Sequence, residues 1–318
     1  MILHAAAVST VGRVREKNED NLYFDGTIFP KRHDQTGKFS KKFRSSQPRL
    51  FGVFDGMGGY SHGEFASCQT AETAKNLFQM GRAAEDPHAL MDEICMVSND
   101  LICKEMQRQN AVIGTTASML IFNGKKLSLC NIGDSPIFRY RDGRLEPVFQ
   151  EHTARAVYEK ITGTPTPGKK FKLTQNLGIF PEDLTIAPYH ADFTVMPGDA
   201  YLICSDGLTD MVDIAEIQRV LKTTAQPVEA LDILMEKALA AGGRDNITAI
   251  LIRVKRGGTL KWLIPVILVL AAAAALFAGP CLRDALKAPE DPAPEADTEI
   301  SPEITDTLLS VDETETDL

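Results

Sequence analysis

Apolar runs joined by tight-turn dipeptides constrain the fold of this chain more than any other feature of its sequence. Asn123-Gly124 lies between the runs Ala117–Phe122 and Lys126–Leu129, and Asp142-Gly143 lies between a second pair of such runs. Both dipeptides favour the two-residue turn of a β-hairpin. Consecutive hairpins pair their strands antiparallel. The sequence therefore predicts antiparallel sheets.

Three longer segments have a helical pattern instead. Residues 64–80, 89–107 and 228–241 place apolar side chains at three- and four-residue spacing. Strand groups alternating with such segments predict an α+β fold in which helices pack outside antiparallel sheets. Residues 1–255 are near the upper size for one hydrophobic core, so we predict a single domain there. Seven basic residues fall in Thr27–Leu50, which we interpret as a long surface loop or an extended hairpin.

Charge is distributed unevenly along the chain. The net charge is −9, which argues against a nucleic-acid-binding protein of bulk basic character. Twelve acidic residues and a single Lys287 fall between Asp284 and Leu318, a stretch that is rich in Pro and Thr and has no aromatic residue. Such a composition buries too little apolar surface to offset the loss of chain entropy. We therefore predict that residues 283–318 form an acidic, disordered tail.

An uncharged segment, Trp262–Leu282, precedes this tail and is bracketed by Lys261 and Arg283. About 20 apolar residues span the hydrocarbon core of a bilayer, so the segment predicts a transmembrane helix. Four basic residues lie close before it and two after it, with 256–261 as a basic linker. The positive-inside rule then predicts a single-pass protein of the cell membrane, with residues 1–255 in the cytoplasm and the tail outside.

Carboxylates stand beside glycines at the ends of several apolar runs. An Asp is costly to bury alone at the end of a strand, and several of them at one edge require a cation. The six cysteines are scattered without a Cys-x-x-Cys pair, and no His cluster is evident. Hard oxygen ligands of this kind favour Mg²⁺ or Mn²⁺. The residues concerned are Glu19, Asp20, Asp55, Asp134, Asp206, Asp210 and Asp245.

The same segments form an ordered series of motifs. They are GRVREKNEDN, VFDGMGG, Gly63-Glu64, Gly114-Thr115-Thr116, NIGDS, ICSDGL and GGRDNIT. In this order and spacing the chain resembles the metal-dependent serine/threonine protein phosphatases (PPM, type 2C), especially bacterial members, over roughly residues 3–254. The resemblance implies an α-β-β-α sandwich of two antiparallel sheets flanked by helices.

The resemblance also implies the roles of individual residues. Asp55 would bridge two Mn²⁺ or Mg²⁺ ions, and the Gly56 carbonyl, Asp206 and Asp245 would complete their ligands with water. Asp20, and Glu19 through water, would support this cluster, whereas Asp134 and Asp210 match a third, weaker metal position. Arg15 matches the arginine that holds the substrate phosphate. Such a site hydrolyses phosphoserine and phosphothreonine in proteins by means of an activated water.

Departures from the family pattern bear on the details. Met57 stands where some members have a His proposed as general acid, so the leaving group must take its proton from water. Pro136 stands where an Arg is usual. Residues 151–183 correspond to the variable flap of the family and look mobile; we interpret them as a substrate-selecting loop.

Two other classes remain open, and both are testable. One is a catalytically inactive, membrane-tethered module that binds phosphoproteins, and the other is a different metal phosphoesterase such as a nuclease. The expected partners are proteins phosphorylated on Ser or Thr, among them a membrane Ser/Thr kinase, with no nucleic acid. The chain is expected to act as a monomer.

Overall fold

The computed structural model describes residues 1–58, 62–81, 83, 85–166, 171–257 and 269–270. Met1–Gly257 forms one compact unit. Its strands are β1 (Ile2–Thr10), β2 (Asn21–Phe24), β3 (Thr27–Ile28), β4 (Gly37–Arg44), β5 (Arg49–Phe54), β6 (Gly56–Gly58), β7 (Ile113–Thr115), β8 (Ala117–Asn123), β9 (Lys126–Ile132), β10 (Ile137–Arg141), β11 (Arg144–Pro147), β12 (Tyr189–Thr194), β13 (Ala200–Cys204) and β14 (Ile247–Lys255). Its helices are α1 (Gly63–Gln79), α2 (Pro87–Gln109), α3 (Ala154–Thr162), α4 (Asp206–Thr209), α5 (Ile214–Thr223) and α6 (Pro227–Ala240).

Two six-stranded antiparallel sheets form the centre of this unit. The first has the order β11-β10-β13-β14-β1-β4 and the second β12-β9-β8-β5-β2-β3, while β6 and β7 form a separate pair. The hairpins β8–β9 and β10–β11 stand where Asn123-Gly124 and Asp142-Gly143 predict them. Gly124 and Gly143 have φ angles of +61° and +83°, which only glycine adopts readily. The prediction of antiparallel sheets is confirmed.

Three apolar layers hold the unit together. Side chains from both sheets, such as Leu3 and Phe51, meet between the sheets. The outer face of the first sheet packs on α5 and α6, and Leu251 of β14 and Leu234 of α6 belong to one buried apolar cluster there. The outer face of the second sheet packs on α1 and α2. The layers therefore follow the predicted order of helix, sheet, sheet and helix, and the three predicted helices correspond to α1, α2 and α6.

The prediction of a loop or hairpin over Thr27–Leu50 is wrong in its main part. Gly37–Arg44 forms β4, an edge strand that pairs antiparallel with β1. Phe39 and Phe43 alternate with exposed lysines and pack into the layer between the sheets. The alternation of apolar and charged residues is that of a half-buried strand. The high density of charge hid this alternation in the sequence, and basic side chains are common on edge strands.

The flap contains a helix, whereas most of the C-terminal segment lies outside the described residues. Ala154–Thr162 forms α3 inside the flap, a helix that is not predicted from the sequence. No helix within the described ranges is long and apolar enough to cross a bilayer. The predicted span, Trp262–Leu282, lies outside these ranges except for residues 269–270, as do the linker's end and the acidic tail. Of the six cysteines, all but Cys281 are described, and these are buried and unpaired.

Candidate metal centre

Asp55 lies where β5 ends and β6 begins. Its backbone is fixed on both sides, because its N–H donates to Thr116 Oγ1 at 3.0 Å and its carbonyl accepts from Thr115 Oγ1 at 2.9 Å. The next residue must be glycine: a Cβ at Gly56 would lie 2.3 Å from the carbonyl oxygens of both Glu19 and Gly63. The sequence thus brings three segments into close contact at Asp55.

Asp206 and Asp245 are brought together by neighbouring strands. Asp206 begins α4 directly after β13, and Asp245 comes just before β14, which pairs with β13. Gly207 lets the two turns touch, since a Cβ there would lie 2.0 Å from the carbonyl oxygen of Asn246. Ser205, between β13 and α4, donates its hydroxyl to Asp20 at 2.8 Å.

We expect Gly207→Ala to destabilise the protein by about 3 kcal/mol, because no side-chain rotation can relieve a clash with a backbone carbonyl. The same substitution should also weaken metal-dependent activity by displacing Asp206 from Asp245. Chemical denaturation measures the first effect. The control is Gly143→Ala, whose Cβ would meet nothing within 4 Å and should cost only about 1 kcal/mol from its positive φ. Equal losses in the two variants would contradict the packing argument.

Asp134 reaches the site from the end of β9. It follows Gly133, whose φ of +101° reverses the chain. A Cβ at Gly133 would lie 2.6 Å from Thr116 Cγ2, so glycine permits the close approach of this turn to β8. Ser135 then bonds Thr116 Oγ1 at 2.6 Å. Pro136, the departure noted in the sequence, precedes β10 and leaves Asp134 in place.

The loop before β2 supplies Arg15 and Glu19, and Asn246 holds it. The Asn246 side chain donates to the carbonyls of Val11 and Lys17 at 3.0 and 2.8 Å and accepts from the Glu19 N–H at 2.8 Å. Arg15 Nη2 donates to Asp245 Oδ2 at 2.9 Å, and half of the Arg15 side chain is exposed. Burial would lower the pKa of this guanidinium, but the bond to Asp245 and the charges of Glu19 and Asp55 raise it.

These segments enclose a cavity of about 250 Å³. Seven of the nine predicted site residues line it, and they are Arg15, Glu19, Asp55, Gly56, Asp134, Asp206 and Asp245. Asp20 is 1% exposed and is not among the residues that line the cavity. Asp210 caps the C-terminal end of α4, and it is not among the residues that line this cavity.

Burial and mutual repulsion dominate the electrostatics of the cluster. Burial raises the pKa of Asp55 well above its usual range, and the charges of Asp20, Asp206, Asp134 and Asp245 raise it further. Burial likewise raises the pKa of Asp20, although hydroxyl groups of Ser205 and Thr248 partly compensate. The Glu19 carboxyl has a raised pKa because of burial and the charge of Glu64. Among the residues that line the cavity, five carboxylates stand against one guanidinium, that of Arg15.

The donor set fits hard divalent cations. Apart from the Met57 thioether, the side chains in the cavity that could be ligands offer oxygen, as Mg²⁺ and Mn²⁺ prefer. Nearby, Glu64 Oε2 is buried without a hydrogen-bond partner. No group of three or more His, Cys, Asp or Glu side chains that could enclose an ion occurs among the residues described. Mg²⁺ is usually held by one or two carboxylates and several waters, so an open arrangement of this kind suits it.

Some residues of the site were not singled out from the sequence. Thr116 and Leu173 line the cavity, and Asn246 both lines it and holds the loop that carries Arg15 and Glu19. Asn246 was visible within the motif GGRDNIT, and Thr116 within Gly114-Thr115-Thr116. Nothing in the sequence around Leu173 pointed to the cavity, because its position there depends on a bridge between Thr153 and Leu173.

Comparisons with known proteins decide the family. Residues 33–241 match the family model described as protein phosphatase 2C. The chain belongs to the protein phosphatase 2C family. It is 29% identical over 256 residues to the serine/threonine protein phosphatase PstP of Mycobacterium tuberculosis, covering 79% of this chain and 45% of the relative. It is 27% identical over 266 residues to the serine/threonine phosphatase stp of Listeria welshimeri, covering 79% of this chain and 95% of the relative.

Solved structures of the protein phosphatase 2C family agree with the fold. The catalytic domain of PstP in complex with two manganese ions has a TM-score of 0.66 and 28% identity, covering 80% of this chain and all of that one. The two-sheet architecture with flanking helices is therefore that of the family. The chain spans about half the length of the curated mycobacterial relative, 45% of it.

Proposed function

We propose that this protein hydrolyses phosphoserine and phosphothreonine esters in other proteins, using two Mn²⁺ or Mg²⁺ ions. The observation that carries the proposal is the convergence of Glu19, Asp55, Asp134, Asp206 and Asp245, from five separate segments, on one cavity beside Arg15. Family membership supports it, as does the manganese in the structure of the relative PstP. When bound, such ions supply an activated water and neutralise charge on the transferring phosphoryl group.

Metal binding and phosphate binding would fall to different residues of the chain. Asp55, the Gly56 carbonyl, Asp206 and Asp245 would hold the two ions, with Asp20 and Glu19 behind them and Asp134 and Asp210 at a third, weaker position. Arg15 binds the phosphate: its guanidinium has five N–H donors, of which one bonds Asp245. A planar fork of donors suits a phosphate dianion. Since hydrolysis of this kind needs mainly positioning and neutralised charge, no further catalytic side chain is required.

A covalent cysteine mechanism does not fit the structure. Cys204 is the cysteine closest in sequence to the Asp206 motif, and it is fully buried at the end of β13. Burial, together with the charges of Asp206 and Asp20, raises the pKa of its thiol. The thiolate is the nucleophilic form, so Cys204 stays protonated and unreactive. Met57 lines the cavity but carries no transferable proton, which leaves water as the proton donor to the leaving group.

The test is release of phosphate from a phosphothreonine peptide in the presence of Mn²⁺. We expect turnover that a chelator abolishes and that added Mn²⁺ restores. Asp206→Asn should lose it, whereas Asp213→Asn, an exposed Asp at the start of α5, should keep it. A folded protein that binds phosphopeptide and Mn²⁺ without turnover would identify the inactive binding module instead. Hydrolysis of DNA or RNA in preference to phosphopeptide would identify a nuclease.

Helix α3 supports a role of the flap in choosing protein substrates. Its side chains Val157, Tyr158 and Ile161 are 48%, 47% and 77% exposed. The residues after it reach the metal cavity at Leu173. An exposed apolar strip next to a catalytic cavity can pack on the polypeptide around a phosphorylated residue.

We therefore expect Ile161→Asp to raise KM for a phosphoprotein several-fold and to leave the hydrolysis of a small aryl phosphate unchanged. The small ester is too short to touch α3, so it reports on the metal centre alone. Steady-state kinetics on both substrates measure the effect. Leu184→Asp, another exposed apolar position, is the matched control. Equal losses on both substrates would show that the substitution damages the site rather than a docking surface.

We also propose that residues 262–282 anchor the protein in the cell membrane, with residues 1–255 in the cytoplasm and the acidic tail outside. The uncharged length of the segment supports this. A cluster of exposed basic side chains supports it too: Arg44 and Lys255 both flank Ile2 in the first sheet, and Arg256 follows Lys255. Basic residues near an anionic bilayer each contribute about 1 kcal/mol. The substrates would then include a membrane Ser/Thr kinase. The enzyme would act on them as a monomer.

Membrane fractionation tests the anchor. We expect the full chain to sediment with membranes and to resist extraction by carbonate, whereas a chain ending at Gly257 should be released. Protease added to intact cells should remove the tail only. Full extraction of the complete chain by carbonate would contradict the proposed span.

A further inference from the structure

Two histidines far apart in sequence are in contact between helix α2 and the second sheet, outside the lining of the metal cavity. His88 is in the first turn of α2, and His190 is on the edge strand β12. Their Nδ1 atoms are 3.0 Å apart, and the rings meet edge to face at a centroid distance of 4.8 Å. Neither residue lines the metal cavity.

Each ring uses its other nitrogen to contact a carboxylate of the opposite element. His88 Nε2 lies 3.0 Å from Asp192 Oδ1 on β12, and His190 Nε2 lies 2.8 Å from Asp92 Oδ1 on α2. Ser128 of β9 donates its hydroxyl to Asp192 at 2.6 Å. That bond, followed by the contact with His88, lowers the pKa of Asp192. The two crossed pairs thus link α2 to β12.

The arrangement fixes where the protons are. An ionised carboxylate only accepts hydrogen bonds, so both Nε2 atoms must carry the proton. In a neutral imidazole the other nitrogen then presents a lone pair. Two lone pairs would face each other across 3.0 Å, which is repulsive unless a proton or a metal cation lies between them.

Several features favour a metal cation. A histidine ligand usually donates its second N–H to a carboxylate, which orients the ring and makes it a better ligand, and here both rings do so. Two imidazole nitrogens on a tetrahedral Zn²⁺ stand about 3.3 Å apart, from Zn–N bonds of about 2.0–2.1 Å. The observed 3.0 Å is within a few tenths of this value. The histidine side chains are 30% and 27% exposed, so water can complete the coordination.

We propose that His88 and His190 form a second metal site, a two-nitrogen site for a transition-metal dication such as Zn²⁺, oriented by Asp192 and Asp92. Imidazole suits Zn²⁺, Cu²⁺ and Ni²⁺, whereas the carboxylates of the first cavity suit Mg²⁺ and Mn²⁺. The protein supplies two ligands, in accord with the absence of any cluster of three or more potential ligands in the described part of the chain.

A cation at this site would fasten α2 to β12 beside the flap. The same helix already holds the flap through Asn99, whose side chain accepts from Gly178 N at 2.7 Å and donates to Ile179 O at 2.9 Å. β12 follows directly after this segment in the chain. Because an ion that binds only the folded state stabilises it, Zn²⁺ should raise the melting temperature.

The experiment measures Zn²⁺ binding by calorimetry to the full chain carrying Asp55→Asn, which weakens the carboxylate site, with Mg²⁺ in excess to compete for the carboxylates that are left there. We expect one bound Zn²⁺ per chain and a melting temperature raised by several degrees. Both effects should disappear in His88→Gln and in His190→Gln. Asp192→Asn should weaken binding 10- to 100-fold, and Asp100→Asn, an exposed Asp on α2, should have no effect.

Three results would overturn the proposal. These are no Zn²⁺ binding, unchanged binding in His88→Gln, and imidazole ¹⁵N resonances that show a proton shared between the two Nδ1 atoms and do not respond to Zn²⁺. If His88→Gln does not fold, the comparison of Asp192→Asn with Asp100→Asn decides. The outcome is independent of the phosphatase assay, since neither Zn²⁺ binding nor melting depends on turnover.

Discussion

Asp55→Asn is expected to lower kcat/KM on a phosphothreonine peptide by at least about 10³-fold, equivalent to about 4 kcal/mol. Asp55 is the central carboxylate of the cavity, and its electrostatic neighbours include Asp20, Asp134, Asp206 and Asp245. An amide of the same size keeps the shape of the site and removes the charge that a divalent ion requires. Asp213→Asn is the control, and it should retain full activity.

The same substitution should have the opposite effect on stability when metal is removed by a chelator. Burial and neighbouring carboxylates raise the pKa of Asp55 in the folded state, so its ionised form destabilises the metal-free protein near neutral pH. We expect Asp55→Asn to be more stable there by about 1–2 kcal/mol, or a few degrees in melting temperature. The difference should shrink as the pH falls and should vanish below about 4, where Asp becomes protonated in the unfolded state as well.

The two readouts together test the charged cluster. Loss of activity alone would follow from any disturbance of the site, but a damaged site is less stable, not more. A metal-free Asp55→Asn protein that melts below the wild type at neutral pH would therefore contradict the repulsion argued from Asp20, Asp134, Asp206 and Asp245.

Arg15→Ala is expected to lower kcat/KM on a phosphothreonine peptide. The decrease should correspond to a loss of roughly 2–4 kcal/mol of transition-state stabilisation, by analogy with the loss of one preorganised donor. Arg15 is the only guanidinium that lines the cavity among the described residues. It is held at the rim by Asp245, 2.9 Å away. Arg15→Lys should recover only part of the loss, because an ammonium cannot offer two parallel donors.

Arg13→Ala separates this effect from a general loss of positive charge. Arg13 is exposed, belongs to the same loop and does not line the cavity. Its backbone N–H bonds the Gly243 carbonyl at 2.8 Å, and this bond survives removal of the side chain. Steady-state kinetics should show near wild-type values for Arg13→Ala. An unchanged kcat/KM in Arg15→Ala would remove Arg15 from phosphate binding.

Most of the candidate site could be predicted because its residues carry local signals. Asp55, Asp206 and Asp245 each stand between an apolar strand and glycine, and turn chemistry of this kind depends only on neighbouring residues. The hairpins were predictable for the same reason. The strands β1 and β4 were not, since Ala-rich and Lys-rich segments have weak strand propensity and become strands through pairing with β14 and with each other.

By itself, the sequence determined the antiparallel sheets, the three long helices, the carboxylate-rich character of the candidate site and the family resemblance that the comparisons confirmed. Only the tertiary structure decided which carboxylates line the cavity, since neither Asp20 nor Asp210 does so. It also brought His88 against His190, 102 positions apart. The physical reason is that turns and strand patterns depend on neighbouring residues in the sequence, whereas contacts between distant segments depend on how sheets and helices pack.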